Sequence, residues 1–332
     1  MRRITVLSGG YGGARFLLGL RHGLERGVLP GVAPDAEVTA VVNTADDWWV
    51  HGLKVCPDLD TVMYTLGGAI SRDRGWGRED ETWRIREELA AYGVEPAWFG
   101  LGDRDLATHL VRTRMLEAGY RLAQVTEALC ARWRPGVRIL PMSEDRVETH
   151  VVVPDPEAAG GRRAIHFQEY WVRHRAEPPV LGLPIVGLDA CSPGPGVLAA
   201  LTEADLVILP PSNPVVSIGP ILGVPGVRES LAATGAPVVG LSPILGGAPL
   251  RGMAAPLLRA VGVEVAAGAV ARHYGARRAG GVLDGWLVDD ADAADVLGVE
   301  AAGIGCRAVP LLMSSEAATA AMAAAAVRLV AG

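Results

Sequence analysis

The chain has 332 residues, half of them hydrophobic, and a formal net charge of −6 at pH 7. That length suits one large α/β domain or two smaller ones. The acidic balance argues against a nucleic-acid partner, and no segment approaches the roughly 20 unbroken apolar residues of a membrane span.

The N-terminus, MRRITVLSGG, is basic for three residues only and then becomes a short strand and a glycine turn. It offers no cleavable apolar leader, so a cytoplasmic protein is expected. Residues 4–8 predict a buried strand. Gly9, Gly10, Gly12 and Gly13 follow, and then a helix with Phe16, Leu17, Leu20 and Leu24 at helical spacing. Residues 38–42 are a second β-branched run, ending in Asn43-Thr44-Ala45-Asp46-Asp47. This is a βαβ opening.

Helical patterns follow over 61–66, 79–92 and 121–133, the last stopped by Pro135-Gly136. Strands are expected at 137–141, 149–153 and 164–171, the last two forming a hairpin across Gly160-Gly161. The βα alternation then resumes, with strands at 205–209, 237–241, 285–288 and 308–312 and a final helix at 316–330. The expected fold class is α/β, a Rossmann-like three-layer parallel or mixed sheet. The chain reads as a single catalytic domain, 1–332, with a helical insertion at approximately 61–135. Cys56, Cys130, Cys191 and Cys306 lie far apart without a Cys-x-x-Cys pair, so they read as core thiols.

Four motifs carry candidate chemistry. Ser8-Gly9-Gly10-Tyr11-Gly12-Gly13-Ala14-Arg15 joins a strand to a helix, where backbone N–H groups and the helix dipole can meet an anion. The dinucleotide fingerprint fails, because Arg15 stands at the third glycine and the second strand ends in Asn43; a GK[ST] loop is absent too. A tight structural turn is the alternative. Asp46 and Asp47 after the second strand, with Asp58 and Asp60 in Pro57-Asp58-Leu59-Asp60-Thr61, form two acidic loops. In an open parallel sheet such loops gather at the ligand crevice and could hold a divalent cation or supply a general base. Alternatively, Asp60 is the N-cap of a helix beginning at Thr61 and Asp46 caps a turn.

Leu101-Gly102-Asp103-Arg104-Asp105 feeds a helix in which Asp105 and His109 are one turn apart. Arg104 could clamp an anion bidentately, or the segment is an ordinary capped helix with a surface ion pair. Pro210 to Pro220 is stiffened by four prolines and a glycine, and presents Ser212, Asn213 and Ser217 beyond a sheet strand. Such a loop suits recognition of a base or phosphate. Arg251 is a further candidate anion contact. Trp48, Trp49, Trp76 and Trp98 could stack on a planar ligand, whereas Trp83 and Trp133 fit a helical core.

Taken in order, Ser8-Gly9-Gly10-x-Gly12-Gly13, Val41 to Asp47, Cys56-Pro57-Asp58-Leu59-Asp60-Thr61, Leu101 to His109, His166-Phe167-Gln168-Glu169 and Pro211 to Gly219 resemble the 2-phospho-L-lactate transferase family of coenzyme F-420 biosynthesis. The resemblance runs to Pro310-Leu311-Leu312-Met313. It implies a Mg²⁺-dependent enzyme that moves a phosphoenolpyruvyl or 2-phospho-L-lactyl group from a guanosine-diphosphate-linked donor. The acceptor is the ribitol hydroxyl of the deazaflavin Fo (7,8-didemethyl-8-hydroxy-5-deazariboflavin). The resemblance further implies that GMP leaves, that (dehydro)coenzyme F-420-0 forms, and that the enzyme is expected as a homodimer.

The high-GC style of the composition, as in actinobacteria, points to phosphoenolpyruvyl. By position, the resemblance implies that Gly9, Gly10, Gly12 and Gly13 line the diphosphate. Asp46 or Asp47, together with Asp60, would hold Mg²⁺. Asp60 matches the deazaflavin-contacting aspartate, and Asp60 and Asp47 are the expected catalytic pair. Gly100, Asp103 and Arg104 would border the acceptor, and Ser212, Asn213 and Pro214 the nucleotide. Where some relatives carry a basic residue, this chain has Gly100, which leaves backbone contact only. The alternatives are another nucleotide-diphosphate-dependent glycosyl or phosphoryl transferase, or a non-catalytic deazaflavin- or nucleotide-binding protein.

Overall fold

The computed structural model describes residues 1–250 and 252–330. Seven strands form one sheet: β1 (Arg3–Ser8), β2 (Glu37–Val42), β3 (Arg138–Pro141), β4 (Leu206–Leu209), β5 (Val238–Leu241), β6 (Gly285–Val288) and β7 (Gly305–Ala308). Their order is β7-β6-β5-β4-β1-β2-β3, with every pair parallel. The inner strands β4, β5 and β6 are short apolar runs buried throughout, as a parallel sheet covered by helices requires, whereas the edge strand β7 is half exposed.

β1 shows how the two faces divide. Ile4 and Val6 pack on one side with Phe16, Leu17 and Leu20 of α1 (Gly10–Glu25). Leu7 packs on the other with Val41, Val207 and Ile221. The first side is completed by α2 (Pro57–Leu66), α5 (Leu122–Trp133) and α6 (Glu316–Val330). Between α2 and α5 lie α3 (Arg84–Ala91) and α4 (Asp103–Glu117). α2 contributes Leu59, Val62 and Met63 to the core, whereas α3 buries no residue. A separate antiparallel sheet joins strands Glu148–Pro154, Arg162–His166 and Ile185–Val186. No helix among the described residues is long and apolar enough to cross a membrane.

α1 and α6 approach closely because Gly19 lies against Thr319, and a Cβ on Gly19 would overlap the Cβ of that threonine. Gly19→Ala gains about 1 kcal/mol of helix propensity. Overpacking a rigid helix contact costs about 1–3 kcal/mol or more. The clash is with a branch point that cannot rotate away, so the substitution is expected to destabilise the protein and lower Tm by several degrees. A thermal scan showing an unchanged or higher Tm would contradict this.

Four boundaries depart from the sequence reading. α2 begins at Pro57, with Cys56 as N-cap. Proline suits the first helical position, and Asp58 and Asp60 fall in the first turn, where the dipole favours them, so Asp60 is not an N-cap. The helix expected at 79–92 begins only at Arg84, and Asp80 adopts φ +53°, which is incompatible with helix. The strand expected at 164–171 ends at His166 and gives way to a helical turn, Glu169–Arg173. The last strand is Gly305–Ala308 and not 308–312, because Pro310 cannot donate to a sheet ladder.

Candidate active site

In this strand order the chain reverses direction across the sheet between β1 and β4, and ligands bind at that switch point, outside the carboxyl ends of the strands. The loops following β1, β2, β4 and β5 meet there around a cleft of about 930 Å³. Gly9, Gly10 and Gly12 line it, as do Gly100, Ser212 and Asn213. The β1 and β4 loops are pressed together. Ser212 Oγ donates to the Gly9 carbonyl at 2.9 Å, and a Cβ on Gly12 would overlap the Pro211 carbonyl oxygen. Gly13 does not line the cleft; its hydrogen faces Ser8 Oγ and Ser212 Oγ. Asn213 uses its side-chain oxygen to accept from Val215 N and Val216 N, and Pro214 is buried and does not line the cleft. Arg251 lies outside the described residues.

Four buried aspartates stand on the β2 loop and the first turn of α2, and their partners separate them into two kinds. Asp47 has Lys54, the one lysine of the chain, with Nζ 3.4 Å from Oδ2. Asp60 has Arg112 of α4, whose Nη2 donates to Oδ1. Asp46 and Asp58 have no cationic side chain at ion-pair distance among the described residues. They share Asn43, whose Nδ2 donates to Asp58 Oδ2 at 2.9 Å and to Asp46 Oδ2 at 3.3 Å. Burial first, and then the facing Asp58 carboxylate, push Asp46 well above the usual carboxylate range. Burial raises Asp58 to about 6, against hydrogen bonds from Asn43 and the Gly10 backbone. In Asp46 a hydrogen bond from the Thr149 hydroxyl and the one from Asn43 act against the rise, and Oδ1 is buried with no cation beside it among the described residues. Of the two residues expected to hold the metal, Asp60 is paired through Oδ1 with Arg112, and Asp46 faces Asp58 across Asn43.

The Gly100 to Arg104 expectation divides. Asp103 and Arg104 do not line the cleft. Asp103 caps α3, accepting from Thr82 Oγ1 at 2.6 Å and Ile85 N at 3.1 Å, and these bonds lower its pKa. Arg104 is exposed and sits 3.7 Å from Asp80. Asp105 and His109 reach the cleft instead, with His109 Nε2 3.4 Å from Asp105 Oδ2 and Tyr64 Oη donating to Asp105 Oδ1 at 2.6 Å.

Aromatic rings form the remaining wall. Trp76 and Trp98 line it; so does Trp83, contrary to its expected core role, with Arg74 stacked over both Trp76 and Trp83. Trp48 lies behind, stacked between Trp98 and His166. Trp49 is exposed and does not line the cleft, and Trp133 packs on Tyr64 as expected of a core residue. Burial lowers His166 to about 4. The unfolded chain takes up this proton below about pH 6.5 and the folded chain only near pH 4, so the contribution of His166 to stability is intact above pH 6.5 and is lost as pH falls through that window. His166→Gln is expected to reduce the loss between pH 7 and pH 5 by about 2 kcal/mol. Urea unfolding of both proteins at the two pH values checks it, and parallel losses would refute it.

The sequence does not single out Arg112, and it places Asp58 in the acidic loops without giving it a role of its own. Asp58 carried a signal, since it stands two residues from Asp60 in the same acidic turn. Arg112 carried one only as the residue a helical turn beyond His109.

A doubly wound α/β protein with a glycine-walled, acid-lined cleft at its switch point has its cleft where folds of this class place their ligands. Comparison with known proteins narrows this. The family model for 2-phospho-L-lactate transferase CofD matches residues 4–303. The chain is 63% identical to the phosphoenolpyruvate transferase of Streptomyces griseus, over 97% of this chain and 96% of that one. It is 59% identical to that of Mycolicibacterium smegmatis, over 96% of each. This chain belongs to the 2-phospho-L-lactate transferase CofD family. A Bacillus halodurans protein of the UPF0052 family shares the fold, with TM-score 0.60 over 98% of this chain and 99% of that one at 18% identity.

Proposed function

We propose that this chain transfers a phosphoenolpyruvyl group from a guanosine-diphosphate-linked donor to the ribitol hydroxyl of the deazaflavin Fo. The hydroxyl oxygen bonds to the phosphorus bearing the enolpyruvyl group, the bond from that phosphorus to GMP breaks, and a phosphodiester forms. The names of its relatives support the transferred group. The observation that carries the site assignment is the unneutralised Asp46–Asp58 pair beside the glycine loop.

Two buried, facing carboxylates with no cationic side chain beside them among the described residues fit a hard divalent cation, which usually takes one or two protein carboxylates plus waters and substrate oxygens. Among the described residues no group of three or more His, Cys, Asp or Glu side chains is placed to hold a metal, so the remaining ligands would come from substrate and water. Asp46 and Asp58 would hold Mg²⁺, which supplies charge neutralisation at the donor oxygens. The residues of the chain supply the rest. The Gly9–Gly12 backbone receives the diphosphate at the N-terminus of α1. Asp60, whose pKa burial raises against the opposing Arg112 guanidinium, orients the acceptor hydroxyl and takes its proton. The tryptophan wall stacks on the planar acceptor.

The test is an end-point assay with purified protein, Fo, Mg²⁺ and each donor generated in situ, read by mass spectrometry. Dehydro-coenzyme F-420-0 is the expected product; a product from the phospholactyl donor alone would reverse the donor assignment. No product from either donor, with Fo or GDP still binding, would replace catalysis by ligand binding.

A further inference from the structure

Arg112 is buried to 1% exposure on α4, and its guanidinium has three acceptors. Nη2 donates to Asp60 Oδ1, Nη1 reaches His109 Nδ1 at 3.1 Å, and Nη1 also donates to the Lys54 carbonyl at 3.3 Å. A guanidinium has donors only, so His109 Nδ1 must be the acceptor of this bond and carries no proton. The ring proton is then on Nε2, which faces Asp105 Oδ2 at 3.4 Å.

This has a consequence for Asp60. Its Oδ2 is 3.7 Å from His109 Nδ1, beyond hydrogen-bond distance but within ion-pair range, so a proton on that nitrogen would draw the oxygen towards it. With Nδ1 committed to Arg112 it cannot donate, and Asp60 Oδ2 is left buried with no protein donor in a residue that lines the cleft. One oxygen of the carboxylate is pinned and the other is bare.

We infer that Arg112 is a positioning residue: its fork fixes Asp60 and sets the His109 tautomer together, so that Asp60 presents one unoccupied oxygen to the acceptor hydroxyl. The inference rests on the proposed function for the identity of the acceptor, but not for the tautomer, which exists without substrate. Planarity matters here, because two divergent N–H groups must reach a carboxylate and an imidazole at once, which a lysine ammonium on a flexible stem does not reproduce.

The experiment uses the full chain with ¹⁵N-labelled histidine, His109 signals being assigned with His109→Gln. In the wild type at pH 7.5, His109 is expected to show an unprotonated Nδ1 and a protonated Nε2. In Arg112→Met the Nδ1 signal is expected to move towards the protonated form, kcat to fall about 10²-fold, and KM for the donor to stay within about threefold. Arg112→Lys keeps the charge, and is expected to recover no more than a tenth of wild-type kcat and not to restore the tautomer. If Arg112→Met does not fold, Arg112→Lys decides alone. Full kcat in that variant would mean that charge suffices and would overturn the inference. So would a wild-type His109 protonated on Nδ1, or a folded Arg112→Met with wild-type kcat. If no variant or wild type turns over Fo, the proposed function fails while the tautomer signals still test the positioning.

Discussion

Asp46→Asn is expected to lower kcat by about 10²–10³-fold and, in the absence of metal, to raise Tm. The two effects have one cause. Asp46 and Asp58 are both buried, face each other across Asn43, and have no cation beside them among the described residues, while the neighbouring Asp47 and Asp60 are each paired. A carboxylate held above its ordinary pKa favours the folded state when protonated. Its contribution is present below the unfolded value near 3.8 and is lost as pH rises through the folded value, which for Asp58 is about 6. At pH 7.5 the pair therefore opposes folding. An amide at position 46 keeps the shape and removes one charge. The apo variant should gain about 1–2 kcal/mol. Mg²⁺ should raise the Tm of the wild type and leave that of the variant unchanged. Thermal scans with and without Mg²⁺, beside the Fo assay, measure all of this. Asp47→Asn is the contrast: burial raises Asp47 too, but Lys54 opposes that shift, so the amide leaves a buried cation without its partner and should gain less Tm than Asp46→Asn. A lower Tm for Asp46→Asn than for the wild type without metal would refute the unneutralised-pair reading.

Much of this arrangement was legible in the sequence, for reasons that also mark where legibility ends. The apolar runs of β1 and β2 and the glycine turn between them announce a βαβ start, and β6 and α6 fall at the expected residues. Acidic loops after β2 and before α2 converge because a parallel sheet gathers its carboxyl ends. Partner choice is different. Asp46, Asp47, Asp58 and Asp60 look equivalent in sequence; what distinguishes them is Lys54 on a short hairpin and Arg112 on α4. Asp103, Arg104 and Asp105 stand in a row, yet a helix turns about 100° per residue. Asp103 therefore caps α3, Arg104 meets solvent and Asp105 reaches the cleft. α4 also inverts the usual pattern: Leu110 and Val111 are exposed, while Thr108, His109, Arg112 and Thr113 are buried. Apolar periodicity would turn that helix the wrong way, which is why Arg112 was not legible.

Gly12→Ala is expected to weaken GDP binding by at least about tenfold and to destabilise the protein by about 1–3 kcal/mol, whereas Gly10→Ala should destabilise it by about 1 kcal/mol and weaken GDP binding less than Gly12→Ala does. The two glycines are two residues apart and fail for different reasons. Gly10 has φ +61°, so alanine there carries a backbone penalty of about 1 kcal/mol, but its Cβ would meet only Asp58 Oδ1, at 3.8 Å. Gly12 needs no unusual φ; its Cβ would overlap the Pro211 carbonyl oxygen. That oxygen belongs to the backbone of a loop fixed on both sides, by the Asn213 cap of the following turn and by the Ser212 hydrogen bond to Gly9. It cannot rotate aside, so the β1 and β4 loops must separate. Those loops are the two walls of the switch-point crevice, and separating them moves the Gly9–Gly12 N–H groups away from the β4 side of any anion held between them. Calorimetry with GDP and thermal scans on both variants rank the two effects. If Gly12→Ala binds GDP as the wild type does, the diphosphate does not lie between these loops, and the acidic pair must be matched to a different ligand.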